Sequence, residues 1–435
     1  MTYYLLPCTS KNIIYHINCQ LQDDTPDIFI SHSLSSYISS IKERITPIES
    51  AWNKYKKFLN PYEFIHSNIP GKHKSIAKYN PLSRSYFKMM ELIQIFDLCK
   101  QSSAPINTFH LAEGPGGFIE ALCHYRNNPN DRYIGMTIQD SDVNVPGWKK
   151  SQKIIKQFPN IHIENGADGS GDILQEENLK YIYKNYAHTM DIVTGDGGFD
   201  FSENFNNQEV DIARLLYGQI CNALILQKPG GVFVLKMFDC FMHHTCDLLY
   251  LLTVFYRKVY ICKPHTSRYA NSEKYIICKD YQKPKLDVLQ LLLPSFQKMN
   301  SSDSRIYRFL DIQISSFFIN KLQEYNAIFG QQQLENISHT LALISSDEPI
   351  RKEKCDLFMK NNTIKCIQWC SRYNIETNII SGLIQLPHQN DNLHLVDTSA
   401  NTSNSTSNST TNDSSNNNSN NNSTNHSTNY LCTRA

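Results

Sequence analysis

Lys236 is the residue of this chain most suited to chemistry, because it interrupts an otherwise apolar run. It lies in the segment from Gly230 to Phe238, whose pattern is typical of a strand buried on both faces. Burying an ammonium group there costs free energy unless the group is paired or loses its proton. A lysine that loses its proton at working pH can act as a general base. For a lysine taken alone, a stem on the core with its head in water is the commoner arrangement.

A glycine-rich turn, His110 to Phe118, follows the first predicted strand. Glycines there let the backbone approach a ligand at the carboxyl edge of an open α/β sheet. Ile119 stands where a dinucleotide fingerprint needs its third glycine, which disfavours a nicotinamide oxidoreductase. The turn is better suited to the methionine part of S-adenosylmethionine, with Glu113 expected to hold its amino group. The cofactor-binding residues predicted here are Glu113, Gly114, Pro115, Gly116, Gly117 and Phe118.

Two further loops place carboxylates at the ends of predicted strands. In the loop from Asp168 to Ile173, Asp172 can accept a hydrogen bond from the exocyclic amine of an adenine, with Ile173 beside it. Asp196 ends the fourth predicted strand, where its carboxylate can pair with Lys236 and orient it, besides contacting the cofactor. Taken singly, each loop is also explained as a plain Asp-Gly turn.

Lys88 and Glu273 complete a set of four charged residues. Lys88 lies in a segment that opens a helix, and Glu273 precedes the last predicted strand. Singly, each has an ordinary surface interpretation. Together, Lys88, Asp196, Lys236 and Glu273 resemble the Lys-Asp-Lys-Glu tetrad of the FtsJ-like ribose 2′-O-methyltransferases, in the same order and each in a matching motif.

The resemblance covers about half of the chain, roughly Ser83 to Asp280. Within that superfamily, the segments Phe233–Phe238 and Lys263–Glu273 are similar to the eukaryotic cap-specific mRNA enzymes, as are the glycine-rich turn and the loop that carries Asp172. The resemblance implies S-adenosylmethionine as cofactor and RNA as partner. It also implies a ribose 2′-hydroxyl, expected near the 5′ cap of mRNA, as the methyl acceptor.

The chemistry of such a transfer, argued independently of the resemblance, suggests a role for each member of the tetrad. A ribose hydroxyl is a poor nucleophile, so a base must take its proton as the methyl group transfers in line. Lys236 is the expected base, because nearby cations favour its neutral form. Asp196 is expected to fix its geometry, and Glu273 to orient Lys88 or the acceptor ribose. Two alternatives stay open: a methyltransferase for ribosomal or transfer RNA, and a catalytically silent RNA-binding subunit.

Composition places the expected RNA surface in one part of the chain. The net charge of the 435 residues is only +1, so a nucleic-acid surface has to be local. Between Lys42 and Lys88 there are ten lysines and arginines but three glutamates, interleaved with seven tyrosines and phenylalanines. Basic residues among aromatic ones suit phosphate attraction and base stacking. A solvated basic helix face over core aromatics is the alternative.

Alternating strand and helix patterns predict an α/β fold: a Rossmann-like, doubly wound, seven-stranded sheet of the class I methyltransferase type. Too few residues separate the last two strands for a parallel crossover, so the last strand is expected to be antiparallel. Four regions are predicted: a partly helical, basic N-terminal extension (1–80), the methyltransferase domain (81–285), a helical region (286–397) and a disordered Asn/Ser/Thr-rich tail (398–435). The tail resembles compositional drift in an AT-rich genome, such as that of a giant virus or a protist.

The thirteen cysteines show no paired framework, which is typical of a reducing compartment. Cys240, His243, His244 and Cys246 have the residue types of a zinc site but the spacing of no common one, so no metal is predicted. No stretch reaches the roughly 18 apolar residues of a membrane helix, and the N-terminus lacks a secretion signal. An intracellular location, cytoplasmic or nuclear (the host cytoplasm or the virion for a viral protein), is expected, and protein partners are not predicted.

Overall fold

The structure is a computed structural model that describes residues 1–9, 11–99, 103–139, 145, 147–198 and 206–378. The described residues belong to one compact unit, Met1–Ile384. The predicted disordered tail lies outside the described residues, as do residues 379–397 of the region predicted to be helical. None of the described helices is long and apolar enough to cross a membrane.

An eight-stranded sheet forms the centre of the fold, in the order β1-β8-β9-β7-β6-β3-β4-β5. The strands β3 to β7 run parallel, while β9 is antiparallel to both of its neighbours, β7 and β8. The bounds of the sheet strands are β1 Thr2–Leu5, β3 Asn107–Leu111, β4 Arg132–Met136, β5 Ile161–Ile163, β6 Met190–Gly195, β7 Gln227–Met237, β8 Tyr256–Lys263 and β9 Lys274–Tyr281. β2 Ile17–Gln22 and β10 Arg305–Leu310 form a separate antiparallel pair.

All seven predicted strands are present, and the antiparallel orientation of the last one is confirmed. The predicted strand count was wrong, however, because the sheet has an eighth strand. β1 pairs antiparallel with β8 at the edge of the sheet. Its four residues alternate between half-buried and exposed side chains, a signal too short and too weak to stand out in the sequence.

Twelve helices and four 3-10 turns surround the strands within the described residues. The helices are α1 His32–Glu43, α2 Glu49–Tyr55, α3 Ser85–Phe96, α4 Gly117–Arg126, α5 Gln152–Gln157, α6 Glu176–Tyr186, α7 Gln208–Asp211, α8 Ala213–Leu226, α9 His243–Phe255, α10 Val288–Asn300, α11 Ser316–Ile344 and α12 Glu348–Arg372. The 3-10 turns are Lys11–His16, Thr46–Ile48, Glu63–Ile65 and Trp148–Ser151.

Both faces of the central sheet are buried. The side chains of β7, which point alternately to one face and the other, show this. Val232 and Val234 belong to the core on one face, together with side chains of α3, α4 and α12. Phe233 and Leu235 belong to the core on the other face, with side chains of α8, α9, α10 and α11. Because side chains alternate along a strand, a central strand between two helical layers must be apolar at successive positions. Lys236 therefore departs from a pattern that this fold requires.

The region from 286 onwards is not purely helical, contrary to the prediction. α10, α11 and α12 carry most of the expected apolar stripes, but β10 lies between the first two of them. Ile312, predicted to be part of a helical stripe, lies between β10 and α11. β10 pairs with β2, almost 300 residues earlier, so its formation depends on a partner that local sequence does not reveal.

Candidate active site

A cavity of about 700 Å³ opens at the carboxyl ends of the parallel strands, beside β3, β6 and β7. Open α/β sheets bind ligands at this edge. Seven of the residues predicted from sequence line it: Lys88, Gly114, Pro115, Asp172, Ile173, Asp196 and Lys236. The motifs that are distant in the chain therefore meet at one place.

The four charged residues singled out in the sequence form two lysine–carboxylate pairs. Lys88 on α3 places its Nζ 2.6 Å from Oε1 and 2.8 Å from Oε2 of Glu273, and both side chains are largely buried. Ser267 also donates its hydroxyl proton to Glu273, at 2.8 Å. Glu273 itself is not among the residues that line the cavity. Of the two predicted roles for Glu273, the geometry therefore favours the orientation of Lys88.

Lys236 and Asp196 form the second pair, at the ends of the neighbouring strands β7 and β6. The Lys236 Nζ lies 3.4 Å from Oδ1 of Asp196 and donates a hydrogen bond of 2.6 Å to the backbone carbonyl of Asp196. Tyr275 donates its hydroxyl proton to the same Oδ1, at 3.2 Å. A Cβ at Gly198 would lie 3.1 Å from the Lys236 Nζ, so glycine allows the chain to pass close to the amine.

Burial and neighbouring charges shift the pKa values of Lys88, Glu273 and Asp196 in different directions. Burial lowers the pKa of Lys88, and the positive charge of Arg84 adds to that shift, whereas the charge of Glu273 opposes it. For Glu273, burial alone would raise the pKa, but the charges of Lys88 and Lys236 outweigh it and the pKa is lowered. Burial raises the pKa of Asp196, although the charges of Lys236 and Lys88 oppose the shift.

The glycine-rich turn is shaped by packing as much as by a ligand. Gly116 has φ +98°, a left-handed conformation that favours glycine. A Cβ at Gly117 would lie 2.2 Å from the Ser85 hydroxyl, so glycine lets the start of α4 contact the start of α3. Phe118 is fully buried in the core. Gly114 and Pro115 line the cavity, whereas Gly116, Gly117 and Phe118 do not.

Glu113 lies in the predicted turn but is buried outside the lining of the cavity. Its carboxylate is buried and accepts hydrogen bonds from the backbone N–H groups of Phe118 and Ile119, at 2.7 and 2.9 Å, and from the Thr194 hydroxyl at 2.8 Å. It therefore caps the N-terminus of α4 and ties it to β6. These donors contact both of its oxygens, and Glu113 does not line the cavity, so its contact with a cofactor's amino group stays a prediction.

The loop after β5 forms one wall of the cavity. Gly171 has φ +69°, and a Cβ there would lie 2.1 Å from the carbonyl oxygen of Thr137, so the loop can approach β4 only with glycine. Asp172 accepts hydrogen bonds from the Leu174 N–H and the Gln175 side chain, at 2.9 and 2.8 Å. These contacts hold its carboxylate at the wall, where a hydrogen bond to an adenine amine stays a prediction.

Several lining or supporting residues were not predicted. Ser83, Arg84 and Ser85 line the cavity just before and at the start of α3. They belong to the same segment as Lys88, so their position beside a predicted lysine was the available signal. Tyr275 and Ser267 support Asp196 and Glu273 through hydroxyl groups. Neither residue type stands out in sequence, because buried tyrosines and loop serines are common in any domain.

The residues around the cavity fit S-adenosylmethionine. One part of the wall is apolar, with Ile138, Ile173 and Leu174, and suits an adenine ring. The Ser83 and Ser85 hydroxyls and the Asp196 carboxylate lie at a polar part, where an amino acid group could bind. Among the described residues, no group of three or more His, Cys, Asp or Glu side chains could hold a metal ion.

Comparison with known proteins places these features in a family. Residues 81–281 match the model of the FtsJ-like methyltransferases, which use S-adenosylmethionine. The chain is 29% identical over 349 residues to cap-specific mRNA (nucleoside-2′-O-)-methyltransferase 2 of Danio rerio, covering 73% of this chain and 44% of that protein. It is 32% identical over 216 residues to cap-specific mRNA (nucleoside-2′-O-)-methyltransferase 1 of Trypanosoma brucei brucei, covering 48% of this chain and 57% of that protein. The chain thus spans about half the length of these two relatives. Residues 81–281 are therefore an FtsJ-like methyltransferase domain.

Proposed function

We propose that this protein transfers a methyl group from S-adenosylmethionine to a ribose 2′-hydroxyl of RNA in the 5′-cap region of mRNA. The observation that carries the proposal is the meeting of two lysine–carboxylate pairs, Lys88–Glu273 and Lys236–Asp196, around one cavity. The names of the similar proteins, which specify cap-specific mRNA as substrate, support the same reaction and the same class of RNA.

Lys236 is the proposed general base. A ribose hydroxyl must lose its proton as its oxygen attacks, and a positioned base contributes about 10²- to 10⁴-fold to such a step. The Lys236 amine is held by one neutral carbonyl at 2.6 Å and by a carboxylate oxygen at the longer distance of 3.4 Å. It lines the cavity, so its remaining direction is available to an acceptor hydroxyl.

Lys88 is proposed to act as a fixed positive charge. Both oxygens of Glu273 lie within 2.8 Å of its amine, and this short pair favours the charged form of Lys88 against burial, which lowers its pKa. A cation held beside the acceptor oxygen stabilises the negative charge that develops there as the proton leaves. Lys88 is paired closely with a carboxylate, whereas Lys236 is held mainly by a neutral carbonyl. This difference matches the proposed roles of Lys88 as electrostatic stabiliser and Lys236 as base.

The walls of the cavity are proposed to place the cofactor against the acceptor. S-adenosylmethionine, when bound, supplies a methyl group on a positively charged sulfur. Asp172 and Ile173 would hold its adenine, and Gly114, Pro115 and Asp196 would lie along its methionine part. This puts the reacting end of the cofactor next to Lys236, and alignment of this kind contributes several kcal/mol, on the order of 7–11, to such transfers.

A direct test uses purified protein, the methyl donor and two RNAs of one sequence, capped and uncapped. Mass spectrometry of the digested RNA is expected to find a 2′-O-methylated nucleoside next to the cap and little modification of the uncapped strand. Equal rates on both RNAs would instead favour a methyltransferase for ribosomal or transfer RNA. Absence of S-adenosylmethionine binding in calorimetry would favour the silent RNA-binding subunit.

A further inference from the structure

A second cavity, of about 310 Å³, lies beside the first one. Phe238 lines it, and the Phe238 ring centre is 6.0 Å from the Lys236 amine, which lines the first cavity. Ser272, the neighbour of Glu273 in the chain, lines it as well. The Phe238 ring, close to the Lys236 amine, therefore connects the linings of the two cavities.

Its walls combine three regions of the chain. Trp52 and Lys56 come from the N-terminal region, Arg268 and Asn271 from the loop before β9, and Gln333 from α11. The FtsJ-like match begins at residue 81 and ends at 281, so the N-terminal and α11 walls lie outside it. The Gln333 side chain donates a hydrogen bond of 3.0 Å to the carbonyl of Ala270, which fixes the loop against α11.

Basic side chains line both cavities, and one carboxylate, Glu49, also lines the second. Arg84 lines the first cavity, whereas Lys56 and Arg268 line the second. Arg268 is paired with the buried Glu63, at 2.5 and 3.0 Å. Lys56 has no carboxylate within 4.0 Å in the part of the chain that the structure describes, and it donates a hydrogen bond to Asn53.

Lys56, Arg84 and Arg268 influence one another's pKa values, as expected for cations that lie near one another. Burial lowers the pKa of Lys56, and the charges of Arg268 and Arg84 lower it further, whereas Glu63 and the exposed Glu49 oppose the shift. Burial also lowers the pKa of Arg84, and the charge of Arg268 adds to it. The Nε of Arg84 is buried and has no hydrogen-bond partner among the described residues. Such a cluster is stabilised by an anion.

We infer that the second cavity seats the nucleotide next to the methylated one in the acceptor RNA, with its connecting phosphate at Lys56, Arg84 and Arg268. The inference rests on the proposed function. A cavity of this volume is at the small end of the range for ligand sites and suits a single nucleotide. Trp52 and Ile45 give it an apolar wall, and the side-chain oxygen of Gln333, whose amide donor is bound to the Ala270 carbonyl, can accept a hydrogen bond from a base.

The test replaces Lys56 with glutamine and measures RNA and cofactor binding separately. Lys56 is half-buried and has no ion pair among the described residues, so Lys56→Gln leaves no carboxylate unpaired. Lys258→Gln is the matched control, because Lys258 is an exposed lysine of β8 that lines neither cavity. Fluorescence anisotropy with a short capped RNA gives the dissociation constant, and calorimetry with S-adenosylmethionine checks that the fold is kept.

Lys56→Gln is expected to weaken RNA binding and to raise the KM for RNA about tenfold, as for the loss of one charge-assisted contact. The slope of log K against log[salt] should fall by about 0.7, the value for one phosphate of a single strand. The affinity of Lys56→Gln for the cofactor should stay within about twofold of the wild-type value. The affinities of Lys258→Gln for RNA and for the cofactor should also stay within about twofold.

Unchanged RNA affinity and salt slope in Lys56→Gln, with an active wild-type protein, would overturn this inference alone. A wild-type protein that binds the cofactor but methylates neither capped nor uncapped RNA would overturn the proposed function instead. A second substrate, in which the nucleotide next to the target lacks its base, adds a further readout. It should bind the wild type several-fold more weakly, because base contacts of this kind contribute about 1–3 kcal/mol each, and equal binding would contradict the seat for the base.

Discussion

The amine of Lys88 lies between the two carboxylate oxygens of Glu273, at 2.6 and 2.8 Å, although 185 residues separate them in the chain. The pair joins α3 to the loop before β9 next to the cavity. Since Glu273 does not line that cavity, its proposed contribution is to hold the cation rather than to touch the acceptor.

Replacing Glu273 with glutamine removes the negative charge but keeps the size of the side chain, so it tests the contribution of the charge alone. The change Glu273→Gln leaves the Lys88 ammonium buried without its counter-ion, which costs about 3–5 kcal/mol of stability. We expect kcat to fall about 10²-fold, the lower end for loss of a positioned group, while the affinity for S-adenosylmethionine is kept. Thermal unfolding, methyl-transfer kinetics and calorimetry measure the three quantities.

The double variant Lys88→Met, Glu273→Gln is the control for this prediction. Removing the cation as well should restore part of the lost stability, because no buried charge is left unpaired. Activity should stay low, since the proposed stabiliser of the acceptor oxygen is gone. Recovery of activity together with stability would contradict a catalytic contribution of the pair.

The hydroxyl of Tyr275 is expected to support catalysis through Asp196. Tyr275→Phe keeps the ring and removes only the donor at 3.2 Å from the Asp196 carboxylate. We expect kcat to fall about 3- to 10-fold, in line with the loss of one hydrogen bond. Tyr281→Phe is the matched control on the same strand, because its hydroxyl bonds to the Leu224 carbonyl at 2.8 Å, outside the cavity lining. Equal losses of kcat in both variants would indicate a general effect on β9.

Two glycines of one loop allow a test of the cavity wall. Gly171 and Gly169 have φ +69° and +78°, so alanine is strained at both positions by about 1–2 kcal/mol. Only at Gly171 would the new Cβ meet the chain, 2.1 Å from the Thr137 carbonyl oxygen, whereas Gly169 has nothing within 4 Å. Calorimetry should find cofactor binding lost in Gly171→Ala and kept in Gly169→Ala. Binding retained in both would mean that the loop does not form the cofactor wall.

Three histidines should each lower the stability as the pH falls from about 6.5 to 4, whereas Glu209, whose pKa burial raises to about 7, has the opposite effect. Burial lowers the pKa of His244 from its usual 6.5 to about 4, and His243 and His265 are lowered to about 4 as well. A histidine whose pKa is lowered on folding stabilises the fold fully above 6.5, and this contribution is lost as the pH falls towards the folded-state pKa. Each contributes up to about 1.4 kcal/mol per pH unit in that window.

The change His244→Gln tests the sign of this effect. Denaturant unfolding at several pH values should give a free energy of unfolding that depends less steeply on pH, by about one proton. His244 is fully buried, and its Nε2 lies 3.2 Å from the Glu209 carbonyl oxygen, so the variant should also be less stable at pH 7. An unchanged slope would mean that His244 is protonated in the folded protein.

The sequence was informative where local pattern decides structure. The strand that carries Lys236, the glycine-rich turn and the loop before β9 all lie where their patterns predicted. The Lys236–Asp196 pair follows from this, because the parallel strands β6 and β7 bring their carboxyl ends to one edge of the sheet.

The sequence was less informative where the structure depends on residues that are distant in the chain. The Glu113 carboxylate accepts hydrogen bonds from the hydroxyl of Thr194, 81 residues later, and from amides at the start of α4, and no local pattern indicates these contacts. β1 and β10 each depend on a strand roughly 260 to 290 residues away. The second cavity combines α11 with the N-terminal region, and no local pattern indicates that meeting.

The most direct test of the proposed mechanism is methyl transfer by Lys236→Ala on capped RNA, measured by mass spectrometry of the digested product. Calorimetry verifies cofactor binding, and Lys258→Ala serves as control for the loss of an exposed lysine. We predict that the variant binds S-adenosylmethionine as the wild type does and forms no detectable 2′-O-methyl nucleoside, while the control stays active. A rate for Lys236→Ala within about tenfold of the wild-type rate would contradict the assignment of Lys236 as the base, since such a base contributes at least about 10²-fold.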